Sequence, residues 1–269
     1  MRFTKMQGIG NDFVLVNGFE TPRIDDPGAL SRRICDRHFG VGADGLIWMV
    51  PSDCADVRMR IFNSDGTEPE MCGNGLRCAA RFARDEGIVA ADRMTIETLA
   101  GVLTVEIDGR GITADMGAPI LDAPQIPVAG ESNRLTLETE AGPLRFFCVS
   151  MGNPHAVTFD LYPEEEDFRR FGAEMERHPL CPARANSEFC RAEGPERARV
   201  KVWERGDGPT LACGTGSCAV LAAGVELGLL RRSAEIRLPG GALRDEWRDG
   251  GHIFMTGPAE TVYSGCIDE

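Results

Sequence analysis

The chain has 269 residues, is 42% hydrophobic and 26% charged, and carries a formal net charge of −13. These proportions fit a globular chain with a sizeable core, of one to two domains at roughly 100–200 residues each. The acidic balance argues against a general binder of nucleic-acid backbones, which needs clustered Lys and Arg.

Residues Met1 to Gln7 run straight into a strand-like pattern with no long apolar segment of an export signal. Phe3 and Met6, then Phe13 to Val16, read as a hairpin turned by Gly8-Ile9-Gly10-Asn11-Asp12. Asp26 followed by Pro27 is a helix start, with Asp26 as N-cap. Gly40-Val41-Gly42-Ala43-Asp44-Gly45 matches a dinucleotide fingerprint in letters only. It follows a helical, basic segment and precedes the strand Leu46 to Val50, the reverse of the order such a site needs.

Asp56 to Asn63 alternates as a strand, and Ser64 to Pro69 is a turn. After Cys72-Gly-Asn-Gly a helix is expected over Leu76–Asp85. Leu76, Ala79, Ala80 and Ala83 share one face, with Arg77, Arg81 and Arg84 elsewhere. Short strands follow near 94–98, 102–107 and 112–115. Pro119, Pro124 and Pro127 then mark a flexible link into a second half. There, strands are expected near 135–139, 146–149, 156–159, 187–190 and 199–203. The acidic run from Glu164 opens a helix as a solvated face. The segment Ser217–Leu229 is apolar nearly all round and reads as a buried helix. Hairpin turns are expected at 239–241 and 248–251. The apolar stretch from Ala219 to Leu230 contains Glu226 and falls short of the roughly 20 residues that span a bilayer.

Ten cysteines with no CxxC pair do not form a disulfide scaffold. In a reducing cytoplasm, the expected location, most of them, Cys35, Cys148 and Cys190 included, are small buried hydrophobes. Two stand apart. Met71-Cys72-Gly73-Asn74-Gly75 returns as Ala212-Cys213-Gly214-Thr215-Gly216, and 141 residues separate Cys72 from Cys213. The same shift lays the strand ending at Asn63 on the one ending at Glu204. It also brings Gly10-Asn11 near Gly152-Asn153. This is an internal duplication. The expected architecture is α/β (α+β): two similar halves, each with mostly antiparallel strands wrapped around a central helix. The halves are 1–117, carrying Cys72, and 118–258, carrying Cys213, with a tail, 259–269, returning to the first half.

A cysteine in a turn just before a helix meets free N–H groups and the positive end of the helix dipole, which lower a thiol's pKa. Neighbouring glycines let backbone N–H groups approach an anion. Two such turns across a cleft could place thiols on opposite faces of one carbon. One would remove an α-proton and the other deliver a proton from the far side, while N–H groups hold the developing negative charge. No electron-sink cofactor motif is evident. Alternatives remain on these residues alone: purely structural turns, a metal site with unusual spacing, or a redox pair.

Met71 to Cys78, and Trp203-Glu204-Arg205-Gly206 followed by Ala212 to Gly216, resemble the two signatures of the diaminopimelate epimerase family. Lys5 to Phe13, Phe62-Asn63, Met151 to His155, the segment ending at Asn186, Leu238 to Gly241 and Met255 to Pro258 also match. The resemblance covers nearly the whole chain. It implies a PLP-independent enzyme of lysine and cell-wall precursor biosynthesis that interconverts L,L- and meso-diaminopimelate. It further implies no cofactor or metal, no nucleic-acid or membrane partner, and a homodimer. Cys72 and Cys213 match the catalytic thiols, and His155 and Glu204 match polar residues near them. Asn11, Asn63, Asn153, Asn186, Glu204 and Arg205 match substrate-binding positions. Gly73, Asn74, Gly214 and Thr215 match the loops that hold the reacting carboxylate. Arg205 would take the far carboxylate as a bidentate pair. Gly45 stands where some members carry a glutamine, and Pro209 where a glutamate is frequent.

Overall fold

In a computed structural model, which describes residues 1–21, 23–129, 131–139 and 142–267, the chain divides into two units. One comprises Met1–Asp115 with the C-terminal stretch from Thr256; the other is Met116–Met255.

The first unit starts with the expected hairpin, β1 (Arg2–Gly8) antiparallel to β2 (Asn11–Asn17). Ile9 (φ 48°) and Gly10 (φ 87°) make its tight turn. The Asp26 carboxylate accepts the Ala29 N–H and caps α1 (Pro27–Ile34). The helix carries the chain to β3 (Gly45–Val50), parallel to β2. Next comes β4 (Val57–Asn63), antiparallel to β3. Helix α2 (Gly73–Asp85) then crosses to β5 (Arg93–Thr98), parallel to β4. Strands β6 (Gly101–Asp108) and β7 (Gly111–Asp115) follow as antiparallel neighbours.

The second unit opens with β8 (Arg134–Thr139) and β9 (Gly142–Ser150), and continues with β10 (Pro154–Thr158) antiparallel to β9. Helix α3 (Glu165–Glu176) crosses to β11 (Asn186–Ala192), parallel to β10. Strand β12 (Arg197–Glu204) is antiparallel to β11, and the short β13 (Gly208–Thr210) folds back on it. Helix α4 (Gly214–Glu226) crosses to β14 (Ser233–Leu238), parallel to β12, with β15 (Gly241–Trp247) antiparallel to β14. After β16 (Ile253–Gly257), β17 (Glu260–Cys266) pairs antiparallel with β1. Residues 268 and 269 of the tail lie outside the described residues.

The two ladders repeat one plan. In each, an antiparallel pair is followed by a helical crossover to a parallel strand, an antiparallel return, a second helical crossover to a parallel strand, and a hairpin. The second crossover helix is central to its unit. Helix α2 packs on β1, β2, β3, β4, β6 and β7; α4 packs on β9, β10, β11, β14 and β15. Within the units, Val14, Leu46, Trp48, Phe62 and Ile34 form one apolar cluster and Phe146, Phe168, Phe171, Phe189 and Met175 another. Cys35, Cys148 and Cys190 are buried, as the composition suggested.

Three local expectations need correction. Helices α2 and α4 begin at Gly73 and Gly214, three residues earlier than helix propensity indicates. The glycines that read as turn residues are the first helical turn. Arg77, expected off the buried face, is fully buried: its guanidinium donates to Gly73 O at 3.3 Å, Asn74 Oδ1 at 2.8 Å and Pro258 O at 3.2 Å. The proline-marked link is packed rather than free. It forms a short 3-10 turn over Ala123–Gln125, and Ala123, Ile126 and Val128 join the apolar cluster of the second unit. Among the described residues, no helix is long and apolar enough to cross a membrane.

Candidate active site

Both duplicated cysteines are N-caps. Cys72 has extended backbone (φ −139°, ψ 118°), as does Cys213 (φ −131°, ψ 111°), and each precedes a 13-residue helix. The duplication therefore preserves not only the letters but the position of the sulfur on the mouth of a helix.

In the first unit the Cys72 sulfur accepts the Gly75 N–H at 3.5 Å and lies 3.7 Å from Asn11 Oδ1. Asn11 joins the site from the β1–β2 turn. Its Oδ1 accepts Asn74 Nδ2 at 3.2 Å, and its Nδ2 donates to Asp44 Oδ2 at 2.7 Å. Asp44 in turn accepts from Arg37 at 2.8 Å. A chain of partners thus runs from Arg37 through Asp44 and Asn11 to Cys72 and Asn74. Asn63 stands outside it: it ends β4, is exposed, and its amide donates to Thr67 Oγ1 at 3.0 Å. Gly45 has a physical reason. A Cβ there would lie 2.7 Å from Phe62 O across the β3–β4 ladder, so no side chain fits without moving backbone.

In the second unit Asn153, His155, Asn186 and Arg205 form one connected group. The parallel register of β10 on β11 sets His155 beside Asn186. His155 Nε2 lies 3.0 Å from Asn153 Oδ1, and Asn186 Nδ2 lies 3.4 Å from His155 Nδ1. Asn186 Oδ1 accepts the Arg205 N–H at 2.7 Å, while the Arg205 guanidinium is exposed and donates to Ala183 O at 2.9 Å. Glu204 is half-buried, and its Oε1 accepts from Thr210 Oγ1 at 2.6 Å. Pro209 sits in β13 opposite Trp203, where the missing N–H leaves that hydroxyl bond intact. Gly214 and Thr215 are the first residues of α4, and Thr215 Oγ1 lies 3.6 Å from the Cys213 sulfur.

Electrostatics at Cys213 run against the simple helix-dipole expectation. The thiol is buried, and burial pushes its pKa well up, with the carboxylates of Glu204 and Glu188 adding to the rise; the Thr215 hydroxyl only partly opposes this. Burial likewise raises the Glu204 carboxyl, against the hydrogen bonds from Thr210 and Cys213. At neutral pH Cys213 therefore holds its proton, whereas Cys72, half-buried, lies nearer solvent.

Sequence reasoning missed two carboxylates. Glu188 is fully buried in β11 with Oε1 2.6 Å from His155 Nδ1. Glu176, near the end of α3, accepts from Trp203 Nε1 at 2.8 Å, Gly206 N at 3.3 Å and Arg184 Nη1 at 3.2 Å, and so pins the Glu204–Gly206 turn. The sequence signal for Glu188 was weak: a carboxylate two positions after Asn186, and so on its face, in a strand that also carries Ser187 and Arg191.

Solved structures of other proteins share this fold. A hydroxyproline epimerase from Agrobacterium vitis aligns with a TM-score of 0.72 at 18% identity, over 98% of this chain and 91% of that one. A PhzF-family phenazine biosynthesis protein from Bacillus anthracis aligns at 0.66 and 17% identity, over 98% of both chains. Sequence likeness narrows the class. The family model for diaminopimelate epimerase matches residues 3–121 and 147–262. The diaminopimelate epimerase of Desulforudis audaxviator is 51% identical over 98% of each chain. That of Methanococcus maripaludis strain C6 is 45% identical over the full length of both. The chain belongs to the diaminopimelate epimerase family, and is an isomerase.

Proposed function

We propose that this protein interconverts L,L- and meso-diaminopimelate without a cofactor, through the Cys72 and Cys213 thiols. The observation that carries the reading is the pair of N-cap cysteines at duplicated positions, in a chain that matches the family model over residues 3–121 and 147–262. Inversion at an α-carbon requires a base on one face and an acid on the other. One thiolate takes the α-proton, and the electron pair passes into the carboxylate. The opposite thiol then protonates the carbon, ending as thiolate. Net proton count is unchanged, and the two sulfurs exchange roles, which makes the reverse reaction equivalent. The raised thiol of Cys213 suits the acid in the resting enzyme, with Cys72 as the base.

The backbone N–H groups opening α2 and α4, at Gly73, Asn74, Gly214 and Thr215, would stabilise the charge that builds on the carboxylate. His155 and Glu204 would support the thiols. Asn11, Asn63, Asn153 and Asn186 would bond the amino and carboxylate groups, Glu204 an ammonium, and Arg205 the far carboxylate. A cytoplasmic homodimer of two halves, 1–117 and 118–258 with the tail 259–269, goes with this reading. The test is exchange in D₂O, under reductant, with L,L-diaminopimelate. Deuterium entering the α-position with formation of the meso isomer, and loss of both in Cys72→Ala and Cys213→Ala, is the expected result. No exchange by the wild-type chain would remove this function.

A further inference from the structure

We infer that Glu188 is a positioning residue for this reaction: its carboxylate anchors His155 through Nδ1 and so aims Nε2 at Asn153 Oδ1, 3.0 Å away, on the side where the reaction takes place. The inference rests on the epimerase reading for the reaction and on the second unit alone for the geometry.

Glu188 lies on β11, two register positions beyond the pair His155–Asn186 and opposite Val157 of β10. Both Glu188 and His155 are fully buried. Oε1 is 2.6 Å from Nδ1, short for a nitrogen–oxygen pair, as charge-assisted bonds are. Oε2 meets no donor among the described residues, so the ring is the one hydrogen-bonding partner of this side chain. A carboxylate offers about four lone-pair sites, and burying one that uses so few is unfavourable. An apolar side chain of similar size would fill the strand interior without that desolvation. Glu188 does nothing for packing that a leucine would not; what it does is hold the ring.

The competing contact is weaker. Asn186 Nδ2 stands 3.4 Å from the same nitrogen, and its partner oxygen is committed to Arg205. At Nδ1, therefore, Glu188 holds the ring and Asn186 does not, while Asn153 meets Nε2 at 3.0 Å on the other side. The same Oε1 also lies against the cysteine turn: a Cβ built on Gly216 would be 3.0 Å from it and 3.2 Å from the Cys213 sulfur. One buried oxygen thus links β10, β11 and the first turn of α4, the three elements that carry His155, Asn186 and Cys213. This is the pattern in which a ring that serves a nucleophile or base is itself oriented by a third group.

The test uses the full chain and the variants Glu188→Leu and Glu188→Gln. In the wild type, the proton shared between His155 and Glu188 should give a strongly downfield NMR signal, assigned by its loss in His155→Gln. In Glu188→Leu that signal should vanish, kcat should fall at least about tenfold, and KM should stay within about threefold, the split expected of lost orientation rather than lost substrate contact. Glu188→Gln keeps an acceptor oxygen and should recover part of kcat, with the signal moved upfield because a neutral amide accepts more weakly. If Glu188→Leu does not fold, Glu188→Gln alone decides: an unmoved signal with unchanged kcat overturns the assignment. A folded Glu188→Leu with wild-type kcat overturns it equally. A wild-type chain that shows no exchange overturns the function and this role together.

Discussion

Asn186 Oδ1 accepts the backbone N–H of Arg205 at 2.7 Å, so the side chain proposed to bond substrate is also a brace of the protein. Its carbonyl is spent on the turn between β12 and β13, and only Nδ2 remains to meet a ligand. Asn186→Ala removes the brace and the donor together. An unsatisfied, partly buried N–H weakens a fold by about 1–3 kcal/mol. The variant should be less stable by that amount, with a lower Tm, and show KM raised at least about tenfold, because Arg205 loses its fixed start. Thermal melts and steady-state kinetics on one preparation check both; an unchanged melt with raised KM would make Asn186 a substrate contact only.

How far this site was legible follows from the kind of signal each residue sends. The two cysteine turns were visible because the duplication repeats letters at a fixed offset, and α2 and α4 do start 141 residues apart. Their first turns were misread because Gly-Asn-Gly and Gly-Thr-Gly have low helix propensity; tertiary packing under the sheets overrides it. Most strand positions were legible from alternation and turn residues. Glu188 and Glu176 were not, since their partners His155, Trp203 and Gly206 lie between 27 and 33 residues away in sequence. Arg77 failed for a related reason: helical periodicity gives its angle on α2, but not the carbonyl of Pro258 that comes back to meet it.

Glu176 gives the chain an acid-sensitive joint. Burial alone would raise its carboxyl, but hydrogen bonds from Trp203, Gly206 and Arg184 outweigh that and hold the pKa below its ordinary value. A carboxylate with a depressed folded-state pKa contributes stability that is fully present above its unfolded value, about 4.3, and lost as pH falls through the folded value. Glu176→Gln should therefore destabilise the protein near neutral pH by about 1–3 kcal/mol. The gap from wild type should narrow as pH drops below about 4. Denaturant unfolding across that range is the check. A constant gap would mean that shape, not charge, holds the Glu204–Gly206 turn.

The two thiols should separate under alkylation. Cys213 is 5% exposed and its thiol is pushed well up by burial and by Glu204 and Glu188, while Cys72 is half-buried. Thiolates, not thiols, react with iodoacetamide. At neutral pH and limiting reagent, peptide mass spectrometry should find Cys72 modified at least about tenfold faster than Cys213. Loss of exchange activity should track Cys72 modification. Preferential labelling of Cys213 would invert the assignment of resting base and acid.

Gly75 and Gly216 occupy the same helical position in the two units, and the duplication turns them into a matched experiment. Alanine is favoured over glycine inside a helix by about 1 kcal/mol, so neither substitution should unfold the chain through propensity. What differs is the neighbour. A Cβ on Gly75 meets methyl groups, Ile61 Cδ1 at 3.1 Å and Ile47 Cδ1 at 3.2 Å, with Cys72 Cβ at 3.4 Å. Those side chains can rotate by the few tenths of an ångström required. A Cβ on Gly216 meets Glu188 Oε1 at 3.0 Å and the Cys213 Cβ and Sγ at 3.2 Å. Relief there must move the buried carboxylate, the thiol, or both. Gly216→Ala should therefore stay folded yet lose at least about tenfold in kcat, a loss of roughly 1.4 kcal/mol of transition-state stabilisation. Gly75→Ala should stay within about threefold of wild type. Equal losses in the two variants would show that the first helical turn tolerates no side chain in either unit, and would take the special role away from the Glu188–Cys213 contact.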